Sequence, residues 1–301
     1  MRTALDLFST LASVSRRGRL GVLGLALGVG WLLLVGLAGW GSAERPLIAR
    51  AATEAIAAWR RFPVDASPRP VIMAGGDDLV IHPTNQHDAN VFAAGRWTFH
   101  VALPSEPSST GGYNLIPASA AARLASGGLK QSSGKGGVVV IGVRLGHAGF
   151  FTDRGSVRLP AWLFYAKGAR HPAAVLAVLP YTHPKVTHPE LPRDSMVDTE
   201  EEGATSRDHG RLLSISFTGG PAGTGPCEDN YVAGFVAGRT AVAFAIREIP
   251  GRSSETTVCS LIGYRRHVVL RLSRPLGPRV LIDAADAIAV PVSPNLPEPL
   301  R

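Results

Sequence analysis

Hydrophobic and polar positions divide this chain into stretches of different period. The run from Leu20 to Gly41 is apolar and carries no charge. Coiled as a helix it would span about 33 Å, enough for a hydrocarbon core of about 30 Å. Residues 47–61 follow a helical period instead, with Leu47, Ile48, Ala51, Ala55, Ala58 and Trp59 recurring along one side. Phe62-Pro63 ends that helix, because a proline disfavours helix in the residue before it.

From there the period shortens to two. Val71 to Ala74 reads as a strand, and Trp97, Phe99 and Val101 alternate with polar neighbours. Pro117 to Ser126 is a short alanine-rich helix with its proline in the first turn. Val138 to Ile141 reads as a strand buried on both faces, and Val157–Phe164 and Ala173–Leu179 supply two more. Residues 62–180 therefore form one β-rich unit. Residues 181–210 are acidic and proline-rich, lack a period and read as a loop. Alternation resumes over residues 211–292, with Leu213, Ile215 and Phe217, then Val242, Phe244 and Ile246, then Val268, Leu270 and Leu272. Turn chemistry at Gly219-Gly220-Pro221 and Pro250-Gly251 separates these runs, giving a small antiparallel β unit. Residues 293–301 read as a flexible tail. The expected fold is mainly β, with α+β the neighbouring class. An N-terminal membrane helix precedes a two-part β-rich region with one or two short helices.

Charge changes how the first run is read. Arg16, Arg17 and Arg19 lie directly before it, while Glu44 and Arg45 after it cancel. Positive charge stays on the cytoplasmic side, so residues 1–19 become a cytoplasmic tail and the C-terminal region is outside. The alternative is a signal segment cleaved near Ala43, after Gly41-Ser42-Ala43, which would release a secreted protein. The run is longer than the roughly 7–15 apolar residues of a typical signal peptide, which favours a retained anchor. Ser15-Arg16-Arg17-Gly18-Arg19-Leu20 partly resembles a twin-arginine export signal, with Arg19 where that motif takes an aromatic. The net charge of +8 raises nucleic acid as a partner. No basic stripe, aromatic–basic interleaving or reading motif accompanies it, so the expected partner is the membrane through residues 20–41, not nucleic acid. Gly (34) and Pro (23) are abundant and aromatics few, which favours loops and strands over a helical bundle.

The two cysteines, Cys227 and Cys259, both fall in the region assigned to the outside. An even pair in an oxidising compartment reads as one disulfide, with two buried thiols as the alternative. Other chemistry is sparse. Gly134-Lys135 lacks the spacing, the following Ser/Thr and the following helix of a phosphate loop. No nucleophile elbow is present. His183 and His188, five apart and followed by many carboxylates, form a candidate pair of divalent-metal ligands. Their prolines hold the segment extended and imply no fixed geometry, which favours a solvated acidic loop over a metal site. Trp97 and Trp162 could line a groove, although an aromatic on a strand more often belongs to the core. No catalytic residue and no cofactor is expected from these patterns.

Three segments carry a resemblance. They are Trp59 with Phe62-Pro63-Val64-Asp65-Ala66-Ser67-Pro68-Arg69-Pro70, Phe151-Thr152-Asp153-Arg154-Gly155 with Leu159-Pro160-Ala161-Trp162, and Arg274-Pro275-Leu276-Gly277-Pro278-Arg279-Val280-Leu281-Ile282-Asp283-Ala284. Together they resemble uncharacterised exported or lipid-anchored proteins of actinobacteria. Many such proteins carry an N-terminal lipid-attachment cysteine, and here no cysteine directly follows the apolar run. The resemblance implies export and assigns no activity. The expected function is a membrane-anchored extracytoplasmic module for binding or support in the envelope. The alternative is an envelope hydrolase whose site is assembled from distant residues.

Overall fold

A computed structural model describes residues 44–74, 79–81, 83–93, 96–105, 108–127, 137–182, 186, 203–252, 258–259 and 262–294. The apolar run 20–41, with Arg16, Arg17 and Arg19, lies outside the described residues. Among the described residues no helix is long and apolar enough to cross a membrane. The fold is mainly β.

The first described element is helix α1 (Glu44–Ala58), continued by a 3-10 turn at Trp59–Arg61. Its apolar side is narrow because it is built from alanines. Ala51, Ala52 and Ala55, with Ile48, Trp59 and Phe62, are buried in one cluster. That cluster lies against a sheet of three strands ordered β10 (Asp229–Ala237), β11 (Ala241–Pro250) and β13 (Val280–Asp283). The helix is thus part of the interior of the folded region. The reason is complementarity of small residues. Ala241, Ala243 and Ala245 of β11 face α1, so helix and sheet approach closely.

The opposite face of the same sheet carries larger side chains. Val242, Phe244 and Ile246 of β11 and Leu281 of β13 meet Leu213, Ile215 and Phe217 of β9 (Leu212–Gly219). Val268 and Leu270 of β12 (Tyr264–Arg271) join them. Strand β9 belongs to a second sheet, ordered β12, β9, β8 (Ala204–Arg207) and β14 (Val292–Pro294). The layers therefore run α1, three-stranded sheet, four-stranded sheet. Three sequence expectations change here. Residues 204–207 fall within the expected acidic loop, yet they pair as β8. Residues 293–294 fall within the expected tail, yet they pair in parallel with β8. The unit is mixed rather than antiparallel, since β11 and β13 also run parallel. Short polar stretches such as Ala204-Thr205-Ser206-Arg207 have no hydrophobic alternation to reveal them, and only their neighbours fix them as strands.

The remaining sheet is ordered β1 (Val80–Ile81), β7 (Ala173–Leu176), β6 (Gly155–Ala166), β5 (Gly137–Thr152) and β2 (Arg96–Phe99). Helices α2 (Gln86–Phe92) and α3 (Ala118–Gly127) contribute Phe92, Ala118, Ala121, Ala122 and Ala125 to a core with Trp97, Trp162 and Phe164. Trp97 and Trp162 are core residues, and the Trp162 indole donates to the Ile116 carbonyl at 2.9 Å. Strand β5 is longer than the sequence implies, and Ile141, expected inside, is exposed. The stretch 71–74 makes a single bridge, Met73 to Thr152, rather than a full strand. A two-stranded ribbon of β3 (Ser109–Thr110) and β4 (Tyr113–Asn114) completes the described strands.

The three segments of the sequence resemblance converge at the tight turn between β5 and β6. Arg69 grips Asp153 with both guanidinium arms, at 3.0 and 2.6 Å, and its Nε donates to the Pro278 carbonyl at 3.1 Å. Its guanidinium also stacks over Phe62. Arg154, 3.5 Å from Asp153, donates to the Arg279 carbonyl at 2.7 Å. Arg279 turns inward and donates to the carbonyls of Leu276, Pro275, Arg274 and Gly238. Burial pulls the Arg154 proton affinity down; Asp153 opposes this and Arg69 adds to it. Gly155 closes the turn at φ +73, where a side chain would be strained and would collide with Ser293 of β14. Asp153→Ala is expected to cost about 3–5 kcal/mol, because it leaves arginine charge buried without its counter-ion. A urea midpoint unchanged in the variant would show that the node carries no stability.

Candidate functional site

Two arrangements of polar side chains stand out among the described residues, apart from the node at Asp153. The first is built on α2. Asn85 caps this helix, accepting from the Asp88 amide at 2.9 Å and donating to the Asp88 carboxylate at 2.7 Å. Asp88 in turn accepts from the amides of Arg170 (2.8 Å) and His171 (3.0 Å) and pairs with His171 Nδ1 at 2.9 Å. His87 Nε2 contacts the Gly168 carbonyl at 2.8 Å. The turn between β6 and β7 is therefore clamped to the start of α2. Hydrogen bonds, that from Asn85 foremost, overcome the opposing effect of burial and hold Asp88 below the ordinary carboxyl value of 3.8. Its place in the first turn of a helix acts in the same direction. The pairing orients the imidazole, whose side chain is largely exposed. A buried aspartate behind a histidine is the geometry of a general base. Among the described residues, however, no hydroxyl is hydrogen-bonded to His171. The arrangement as it stands is a clamp.

The second arrangement lies at one open end of the sandwich. Tyr231 of β10 and Glu248 of β11 are cross-strand neighbours. The Tyr231 hydroxyl accepts from the Gly220 amide at 2.7 Å and faces Glu248 at 3.5 Å. Its ring packs edge-on to Phe217 and carries the Arg266 guanidinium over one face. Gly219 and Gly220 make this possible, since a side chain at either would collide with Tyr231 or Asp229. Burial raises the Glu248 carboxyl, the negative charge of Asp229 adds to this, and the Tyr231 hydrogen bond opposes it. Burial also raises the Tyr231 hydroxyl, with the Gly220 hydrogen bond opposing. Two carboxyl groups in unlike surroundings can divide the roles of proton donor and acceptor. Sequence reading missed this site because its residues are spread over β9 to β12. The only trace is an acidic residue at an inward position at the end of an otherwise apolar strand.

Cys227 and Cys259 form a disulfide. It joins the turn entering β10 to the connection between β11 and β12, and so links the ends of the two sheets. His183 and His188 lie outside the described residues. Among the described residues no group of three or more His, Cys, Asp or Glu is arranged to hold a metal ion.

The Asp88 clamp has a defined acid response. Folding lowers this carboxyl, so its stabilisation is complete above the ordinary value of 3.8 and is lost as the pH falls below it toward the folded value. Wild type and Asp88→Asn should differ in Tm near neutral pH and converge below about pH 4. A difference that stays constant through acid would assign the effect to something other than the carboxylate.

No protein-family model, no curated protein and no solved structure matches this chain, so its function is read from its own residues.

Proposed function

We propose that this chain is an exported protein of the cell envelope. Residues 20–41 hold it in the membrane as one helix, with the N-terminus cytoplasmic and the folded region outside, where it acts as a binding or supporting module. The observation that carries this reading is the Cys227–Cys259 disulfide, since such bonds persist in oxidising compartments and are rare in the cytosol. The uncharged run behind Arg16, Arg17 and Arg19 supports it independently, as does the resemblance of three segments to exported actinobacterial proteins. Only residues 42 and 43 separate the uncharged run from α1, whose apolar side is packed into the fold. An anchor would therefore keep the folded region close to the bilayer. The binding role is supported by where the buried charges go. Asp153, Arg279 and Asp88 are bound to other side chains or to the backbone, which is the work of a scaffold.

Alkaline washing of membranes tests the anchor. The full chain should stay in the pellet, with no cysteine open to a thiol reagent until reductant is added. A soluble form beginning at Glu44 would instead establish cleavage near Ala43, and reduced cysteines would refute export.

A second reading, an envelope hydrolase, is favoured by Glu248, a carboxyl raised by burial beside Asp229. It expects the protein to release reducing ends from purified envelope glycan, and Glu248→Gln to abolish that release at unchanged thermal stability. Equal release by the variant would remove Glu248 from any such role.

A further inference from the structure

The outward face of the sheet β12–β9–β8 carries three arginines, Arg207, Arg265 and Arg271, and no acidic residue. Along β12 the inward positions Val268 and Leu270 are buried, so Arg265, His267, Val269 and Arg271 point outward, and all four are exposed. Each is one strand spacing from an outward position of β9. Arg265 sits opposite Thr218, His267 opposite Ser216 and Val269 opposite Ser214. Arg271 sits opposite Leu212, which is itself opposite the exposed Arg207 of β8. From Arg265 to Arg271 the stripe is about 20 Å long, with steps of about 7 Å between alternate residues. None of the outward positions on these three strands is acidic. Among the described residues no carboxylate pairs with Arg207, Arg265 or Arg271. The sequence showed no basic stripe because these charges are spread over positions 207–271 and interleaved with inward apolar residues. Only strand alternation and pairing collect them on one face.

The geometry points to this face as the docking surface for an extended, phosphate-bearing polymer of the cell envelope. Three observations choose that occupant. Guanidinium groups fork onto phosphate oxygens, and the hydroxyls of Ser214 and Ser216 on β9 supply further donors on the same face. Arginines at both ends of a stripe about 20 Å long suit an extended chain with several charges better than a single anion. The face also lies on the far side of the sandwich from α1, two layers away, and the proposed anchor leads directly into α1. It therefore presents itself away from the element that joins the anchor rather than alongside it. A nucleic-acid strand would call for aromatic platforms on which bases stack, and the outward positions of this face carry neither Trp, Tyr nor Phe. The inference names a partner for the binding role proposed above and rests on that reading for its location outside the cell.

The test uses the full chain in nanodiscs of neutral lipid, with long-chain inorganic polyphosphate as the probe. Binding should weaken steeply with added salt. The pair Arg265→Ala/Arg271→Ala should weaken it by about tenfold or more. Val269→Glu, which sets a negative charge in the middle of the stripe, should weaken it as well. The pair Arg60→Ala/Arg61→Ala removes the same net charge beside α1 and should change affinity by less than about twofold. Near-ultraviolet circular dichroism checks that each variant is folded. Equal losses from the two arginine pairs would overturn the docking face, as would tighter binding to anionic vesicles or to a single-stranded oligonucleotide. A chain that does not enter nanodiscs refutes the anchor alone, and the same titrations on the free protein still decide the docking face.

Discussion

The two-armed contact between Arg69 and Asp153 is the constraint from which the rest of the structure follows. Asp153 sits at the tip of the β5–β6 hairpin, and that tip reaches the end of the sandwich. Its carboxylate is almost fully buried, and two guanidinium groups face it. Those groups cannot spend all their donors on one carboxylate, and the surplus goes to the backbone carbonyls of Pro278 and Arg279. The backbone completes the junction. Asp153 donates its amide to Ile72 and accepts from Val292 through its carbonyl. Three distant stretches of chain are thereby fixed to one turn. A buried charge is a poor source of net stability, but it specifies register sharply, since a shift of one residue would leave it unpaired.

A second constraint is the division of labour within β11. This strand is buried on both faces, with alanines toward α1 and larger residues toward the sandwich core. The asymmetry sets the layer order. A helix built from alanine can lie only on a surface of equally small residues, whereas two sheets need bulk between them to fill the gap of about 10 Å. The layer order then decides what faces water. The outward side of β12 is left to Arg265, His267, Val269 and Arg271, and the open end of the sandwich to Tyr231, Glu248 and Asp229.

Local pattern made some of this legible. The alternation in 213–217, 242–246 and 268–272 announces strands, and each such run is one. The alanine-rich helices at 47–61 and 117–126 are visible through their period. Pattern failed where an element is short and polar. Residues 204–207 and 292–294 have too few apolar positions to show a period, and they are strands because partners present unpaired backbone groups to them. Pattern also failed at the sites. Asp88 and His171 are 83 positions apart, and Tyr231 meets Glu248 only through the β10–β11 register.

By itself, then, the sequence determined the mainly β class, the apolar run with its arginine flank, and the even pair of cysteines. Each is a property of composition or of nearest neighbours, which a chain possesses before it folds. Tertiary structure alone decided that α1 belongs to the interior, that three separate motifs are one ionic node, and that Arg207, Arg265 and Arg271 share a face. These depend on strand pairing and layer order. Both arise from long-range burial and from satisfying backbone hydrogen bonds across the whole fold, and neither is carried by any single stretch of residues.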